Sequence, residues 1–443
     1  MGAQRKTPKA ALKKRSTTLQ HLFDIDSNNS QSPHDSETEE LLSVISYCTF
    51  IFTFTDSTES PSQQDLKRLK LMQLLSIIKS SNEPFNDDRI LSPLFLMISS
   101  NLFRPLPPPS NLCNPPEDDE EPFSAPATAW PHLHVVYDIL LKLVLTSDPK
   151  SLRNYINHSF LLNLLSLFQS EDRRERESLK NVFHRIYSKF AFYRSFMRKA
   201  MKDVFLHFVF EMERHCGVGE LLEIWGSIIN GFGVPLKEEH KQFLVRVLVP
   251  LHKPKGMQAY HRQLTYCVSQ FVQKEPMLGG VVVRGVLRYW PRTNCQKELL
   301  FIGEMEELVE YTDPVQFVKL ALPLCTQIAR CLTSWNSQVA ERALFLWNNE
   351  HFVNMASQSM EQVLPSLVEG IEKNINCHWS KTIRQLSANV KTMLEEMEPE
   401  LYSKSLREMD YRESMVDQEE KKRNERWERL EMAATQSQSL QQQ

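Results

Sequence analysis

LLEIWGSIINGFGVPLKEEH, residues 221–240, reads as one helix, a break and the start of another. Leu221, Ile224, Trp225, Ile228, Ile229 and Phe232 recur at three- and four-residue steps, the period of a helix face. Gly231 and Gly233 end the run. Pro235 suits the first turn of the helix that follows, where its fixed φ is helical and its missing N–H is not needed. The same grammar continues outward in both directions. Leu71, Leu74, Leu75 and Ile78 follow i, i+3, i+4, i+7, and Val339, Ala343, Leu346 and Trp347 follow i, i+4, i+7, i+8. Nothing comparable alternates at period two, and the β-branched run Val281 to Val283 is too short and isolated to build a sheet. Breaks fall at Pro84, Pro131, Pro149, Gly217, Pro235, Pro250, Pro276, Pro291, Pro314 and Pro365. That cadence gives about one helix pair per ~40 residues, the length of a HEAT or armadillo unit. The expectation is an all-α, HEAT-like helical-repeat solenoid; a globular helix bundle is the alternative, since no exact sequence repeat is visible.

Composition agrees. The chain has 443 residues and only 12 glycines, where ordinary usage of ~7% would give about 31. Glycine-turn β folds and nucleotide-cradling loops are disfavoured. Hydrophobic residues are 41% and charged residues 24%, enough to bury a core over most of the length. A formal net charge of −3 gives no global attraction to nucleic acid or an acidic membrane surface. The eight cysteines are scattered without a Cys-x-x-Cys pair, so neither zinc ligation nor a disulfide framework is indicated, and a reducing compartment is the simplest reading.

Residues 1–37 are polar and aperiodic and are expected to be a disordered tail, with Lys13-Lys14-Arg15 either a nuclear-import patch or solvated charge. No signal peptide or myristoylation signal is recognisable in it. The solenoid is expected over 38–399. Within it, the stretch 104–126 carries Pro105, Pro107, Pro108, Pro109, Pro115 and Pro116, followed by Glu117, Asp118, Asp119, Glu120 and Glu121. Proline blocks helix and the adjacent carboxylates repel, so a solvated projecting loop is expected. Residues 400–443 read as a charged helix carrying Trp427, followed by a Gln-rich disordered tail. Leu41 to Thr55 is too short to span a bilayer and reads as a core helix running into a loop.

No GxGxxG, GxxxxGK[ST], HExxH or GxSxG occurs, and no glycine is followed by Asp or Asn, as two-metal phosphatases require. A catalytic function, a metal and a cofactor are therefore not expected. The informative pair of segments is EDRRERESLKNVFHRIYSKF, residues 171–190, and the opening stretch. The apolar arc of the latter is wider than the ~100° stripe one core contact uses, so part of it is free to face a groove. Ile224 and Ile228, one turn apart, would form an edge of it, with Leu222, Trp225 and Ile229 turned inward. Lys237 and His240 fall together near the positive end of the next helix. His184 and Tyr187 share a face of the first segment, with Arg185 adjacent and Arg194 further on. Together these describe an apolar slot ringed by cations, suited to an extended peptide with aliphatic anchors and a carboxylate. The same spacing also fits isoleucines in the core and solvated cations.

Longer blocks carry a resemblance: AWPHL (129–133), SEDRRER (170–176) with HRIYSKF (184–190), ELLEIWGSIINGF (220–232) with PLKEEHKQFL (235–244), VLVPLHKPK (247–255), YWPRTNCQKELLFIGEMEEL (289–308) and QVAERALFLWNNE (338–350). They resemble the B-prime regulatory subunits of protein phosphatase 2A over roughly Glu37 to Trp427. NLFRPLPPPSN (101–111) and its acidic sequel look like that family's projecting loop. The resemblance implies a pseudo-HEAT solenoid of about eight helix pairs that joins scaffold (A) and catalytic (C) subunits in a heterotrimer and takes part in signal transduction. It further implies a groove for Leu-x-x-Ile-x-Glu motifs of substrates or adaptors. By the resemblance, His184, Arg185 and Tyr187 shape the leucine end, and Tyr187, Ile224 and Ile228 receive the isoleucine. Lys237 and His240 face the glutamate, and Arg194 favours acidic neighbours. The acidic loop would lie near the catalytic subunit's active site. The sequence departs from the family at Arg173, Phe196 and Trp225, the last expected to point inward.

The resulting expectation is a non-catalytic, substrate-selecting subunit of the cytoplasm and/or nucleus, with no nucleic acid and no integral membrane among its partners. The rival is a cargo-binding, transport-type solenoid unrelated to phosphatase. An RNA-binding repeat would need Phe190, Phe192, Tyr193 and Phe196 to stack on bases instead of packing.

Overall fold

A computed structural model describes residues 33–52, 54, 60–80, 87–107, 126–211 and 214–441. The basic N-terminal patch and the acidic run Glu117 to Glu121 lie outside those residues. The described residues form helices and no strand. In chain order they are α1 (Pro33–Cys48), α2 (Pro61–Ser80), α3 (Asp88–Leu102), α4 (Pro126–Thr146), α5 (His158–Ser166), α6 (Arg173–Lys189) and α7 (Arg194–Phe210). Then come α8 (Val218–Asn230), α9 (Glu238–Phe243), α10 (His261–Lys274), α11 (Gly279–Arg288), α12 (Cys295–Tyr311) and α13 (Pro314–Val318). The last are α14 (Ala321–Leu332), α15 (Ser337–Phe345), α16 (Glu350–Ser357), α17 (Met360–Cys377), α18 (Lys381–Met397) and α19 (Pro399–Gln441).

These helices stack as two layers. In one, α2, α4, α6, α8, α10, α12, α15 and α18 each pack on the next, a ladder of eight rungs. In the other, α1 packs on α3, α5 on α7, α14 on α17 and α17 on α19. A single buried cluster runs from Val44 to Tyr402 between the layers. Each rung covers only its neighbours, the architecture of a helical-repeat solenoid.

The ~40-residue cadence reappears as hydrogen bonds between rungs. Lys189, at the end of α6, donates to the carbonyls of Val144, Leu145 and Ser147 at the end of α4, at 2.8, 2.8 and 2.6 Å. Lys274, at the end of α10, donates to Asn230 and Phe232 just past α8, both at 3.0 Å. Lys297 reaches the carbonyl of His252 at 2.6 Å, and Asn374 that of Leu332 at 2.7 Å. The partners are 42 to 45 residues apart in each case. A helix C-terminus leaves carbonyls without intrahelical donors, and here a side chain of the following repeat supplies them. Replacing Lys189 by Met should cost about 1–3 kcal/mol, because three carbonyls lose their donor at once; a urea-unfolding midpoint unchanged from wild type would refute that role.

Several boundaries differ from the sequence expectation. Pro131 and Pro365 lie inside α4 and α17, each the sixth residue of its helix; each removes one intrahelical hydrogen bond, and packing against the neighbouring helices carries the helix across it. Val281 to Val283 sits within α11; apolar packing outweighs the slight β preference of valine. The first helix begins at Pro33, inside the stretch assigned to the tail. At the other end, helix runs unbroken to Gln441, where a disordered tail was expected. Residues 433–441 contain neither proline nor glycine and are mostly tolerant of helix, so nothing in the chain stops it. No described helix is long and apolar enough to cross a membrane.

Candidate functional site

Two helix ends and a loop meet beside each other on one edge of the ladder. The first is the end of α6. Asp172 caps its start, accepting from the N–H of Arg174 at 2.9 Å. At its end Arg194 folds back, donating to the carbonyls of Tyr187 at 3.1 Å and Ser188 at 2.7 Å, with its guanidinium 5.7 Å from the Tyr187 ring centre. Arg198, one turn along α7, donates to the Tyr187 hydroxyl at 3.1 Å. The tyrosine is thus held by two cations.

The second is the end of α8. This helix starts at Gly217, where a side-chain carbon would collide with the Phe168 carbonyl oxygen, so only glycine lets α8 come this close. Trp225 points inward as expected, stacked on Phe243 at 3.9 Å. After Asn230 the chain turns through Gly231 to Lys237. That loop is fixed from the following repeat: Lys274 holds the carbonyls of Asn230 and Phe232, and Glu275 accepts from the N–H of Leu236 while pairing with Lys241 at 2.7 Å. Pro235 therefore sits in the loop, not in the first turn of a helix. α9 begins at Glu238 with Lys237 as its extended N-cap, which leaves the Lys237 side chain exposed.

His184, Tyr187, Arg194, Ile228, Lys237 and His240 line one cavity of about 480 Å³. Its apolar floor is Ile228 with Phe232, and the His240 ring lies flat on Phe232, centroids 3.6 Å apart and planes 2° from parallel. Two sequence-predicted residues are elsewhere. Ile224 is 1% exposed against 6% for Ile228 and does not reach the cavity, because one turn back along α8 the neighbouring helices close over it. Arg185 is exposed on the outer face of α6, beside the cavity and not in its lining. Sequence reasoning missed Ser188, Arg198, Ser227, Phe232 and Glu239 as lining residues. Arg198 was findable, being one turn beyond Arg194 on the same helix. Larger cavities, of about 1020 and 550 Å³, lie at the start of α17 and α19 and between α5 and α7; neither gathers the residues of the two quoted segments.

The charge differs from a simple ring of cations. Burial, together with Arg185 and Lys180, pushes His184 below its ordinary value. Burial also lowers His240, with Arg198 and Lys237 acting the same way and Glu239 opposing. Both imidazoles are therefore neutral at pH 7. The His240 Nδ1 is buried and has no hydrogen-bond partner. Positive charge around the cavity comes from Arg194, Arg198 and Lys237, with Glu239 on the rim. The lining offers an apolar floor, hydrogen-bond donors and positive charge, an arrangement suited to binding an acidic chain.

The family model for the protein phosphatase 2A regulatory B subunit (B56 family) matches residues 27–434. The chain belongs to that family. It is 49% identical over 393 residues to the B' beta isoform of the 57 kDa regulatory subunit of serine/threonine protein phosphatase 2A from Arabidopsis thaliana, covering 87% of this chain and 78% of that one. The B' alpha isoform of the same plant is 48% identical over 90% of this chain and 81% of its own. The B' kappa isoform of Oryza sativa subsp. japonica is 43% identical over 91% and 79%. A crystal structure of an engineered protein overlays on 83% of this chain and 97% of its own at 9% identity and a TM-score of 0.35, too distant to carry an argument. As a B56 family member the chain is a non-catalytic regulator of the phosphatase, and the transport reading, which excluded phosphatase, gives way to this membership. Of the four aromatics the RNA reading needs, Phe190 and Tyr193 are buried and Phe196 is half-buried, which leaves Phe192 as the exposed one.

Proposed function

We propose that this B56 family member selects substrates for a heterotrimer with scaffold and catalytic subunits by docking Leu-x-x-Ile-x-Glu-type acidic motifs in the cavity at the ends of α6 and α8. The observation that supports this most is the gathering of Tyr187, Ile228, Lys237 and His240 around one opening. In the proposed pose Tyr187 and Ile228, backed by the buried Ile224, receive the isoleucine. His184 and the aliphatic stem of Arg185 bound the leucine end, and Lys237 and His240 take the glutamate. Arg194 draws acidic flanks. Burying the two aliphatic anchors offers ~1.5–3 kcal/mol each, and a charge-assisted contact adds ~1.5–3. These contacts total about 4.5–9 kcal/mol before the cost of ordering a peptide, so a dissociation constant no tighter than micromolar, roughly −8 kcal/mol, is expected. Docking raises the effective concentration of a substrate beside the partner's active site. The acidic run Glu117 to Glu121 would hinder that site when no motif is docked. Neutralising its five carboxylates should change basal holoenzyme activity on a motif-free phosphopeptide.

Fluorescence titration of a labelled Leu-x-x-Ile-x-Glu peptide tests the proposal. Low-micromolar binding that disappears when the leucine, isoleucine and glutamate are replaced by alanine is expected; binding unaffected by those replacements would contradict it. The depressed His240 makes binding pH-dependent. A docked glutamate stabilises the imidazolium, so docking takes up a proton and affinity should rise as pH falls from about 8 to 6. His240→Gln should flatten that profile, and an equal slope in both proteins would contradict the assignment.

A further inference from the structure

Residues 19–24 read Leu19-Gln20-His21-Leu22-Phe23-Asp24, which sets an aliphatic side chain, a second three residues on and a carboxylate two beyond that. We infer that this segment is an internal competitor that occupies the cavity at the ends of α6 and α8, Leu19 and Leu22 taking the aliphatic positions and Asp24 facing Lys237. The inference rests on the docking reading of that cavity.

Direction and reach both favour it. Lys67, in the first half of α2, donates to the carbonyl of Phe50 just past the end of α1 at 2.5 Å, so α1 runs antiparallel to α2. His132, near the start of α4, is 2.9 Å from the carbonyl of Gln64, near the start of α2. Lys189 ties the end of α6 to the end of α4, and Arg176 and Lys180 pair with Glu220 and Glu223 along α8. The ends of α2, α4, α6 and α8 consequently share one edge, and α1 begins on it. The chain before Pro33 leaves the body on the edge where the cavity opens. Adjacent helices lie ~8–10 Å apart, which puts the gap between α6 and α8 about 25 Å from α2. Eight residues lie between Asp24 and Pro33, and the nine residue-to-residue steps extend to ~30 Å. Charge is complementary too, since Asp24 and Asp26 would meet Arg194, Arg198 and Lys237.

A tether this short sets an effective concentration of about millimolar. Leu22 in place of isoleucine and Asp24 in place of glutamate make the segment a weak ligand, displaced by a better motif and able to exclude a poorer one. It would act as a threshold on substrate choice.

The test titrates a labelled Leu-x-x-Ile-x-Glu peptide against the full chain and against the doubly substituted Leu19→Ala, Leu22→Ala chain. The substituted chain should bind about three- to tenfold more tightly, at every protein concentration, and Asp24→Lys should shift affinity the same way. A synthetic peptide of residues 17–28 should displace the probe from the substituted chain. Equal affinity in wild type and variants overturns the inference while leaving the docking reading intact. A ratio that grows with protein concentration assigns the segment to a second copy and also overturns it. No binding by any chain removes the docking reading and this inference together.

Discussion

Reversing two charges at the cavity rim, Arg194→Glu with Lys237→Glu, should weaken binding of a Leu-x-x-Ile-x-Glu peptide about a hundredfold. A charge-assisted contact is worth ~1.5–3 kcal/mol, but both side chains are open to water, where screening brings each toward the low end. Two such losses come to about 3 kcal/mol, or two decades in the dissociation constant. Arg194 also holds the carbonyls at the end of α6, so the double variant should lose a little stability. Lys237→Glu alone is the cleaner arm: it sits at the N-cap of α9 without a side-chain cap bond. It should cost at least tenfold in affinity at an unchanged Tm. Wild-type affinity in that single variant would place the acidic end of the ligand somewhere else.

The largest stability effect should come from Glu304→Ala, about 3–5 kcal/mol, the penalty for breaking a buried pair and stranding its partner. Glu304 is fully buried on α12 and lies 2.9 Å from His252 Nε2 and 2.9 Å from His261 Nε2. His252 Nδ1 is 2.9 Å from the carbonyl of Val249. A carbonyl and a carboxylate only accept, so both nitrogens of His252 must donate and the ring is an imidazolium. Burial alone would raise Glu304, but the two histidines outweigh it and hold the carboxyl at about 2. Burial alone would lower His252, and Glu304 outweighs that and raises it.

The signs give a window. The depressed Glu304 contributes stability that is present above its unfolded value of ~4.3 and is lost as pH falls toward 2. The raised His252 contributes stability that is present below its unfolded value of ~6.5 and is lost as pH climbs through the folded value. The pair should therefore support the fold best between about pH 4.5 and 6.5. Urea midpoints should fall from about pH 6 to pH 9 in wild type and fall less in His252→Gln. Parallel slopes would show that the histidine is uncharged.

The solenoid was legible because its two signals are local. Apolar residues at helical steps, as in Leu71 to Ile78, need only the neighbouring turn to be read, and prolines and glycines punctuate them. Where proline misled, at Pro131 and Pro365, tertiary packing carried the helix across the missing bond. The unbroken α19 was misjudged for a related reason: low apolar content argues against a core contact, not against helix. The site was legible only in part. Tyr187, Ile228, Lys237 and His240 lie on faces that spacing can assign. The exclusion of Ile224, one turn from Ile228 on the same stripe, depends on where α6 and α10 close over α8. The neutral state of His184 and His240 is likewise invisible in sequence, because it follows from burial and from Arg198, 42 residues from His240. The lysine capping of carbonyls one repeat away was also hidden; a lone Lys189 or Lys274 looks like a solvated charge until the rungs are stacked.

The most direct test compares kcat/KM of the reconstituted heterotrimer on one phosphopeptide with and without a Leu-x-x-Ile-x-Glu segment in the same chain, using wild type and Lys237→Glu. The motif should raise kcat/KM by tenfold or more in the wild-type complex, and Lys237→Glu should remove most of that gain while leaving the motif-free rate unchanged. Equal rates with and without the motif in the wild-type complex would contradict the account.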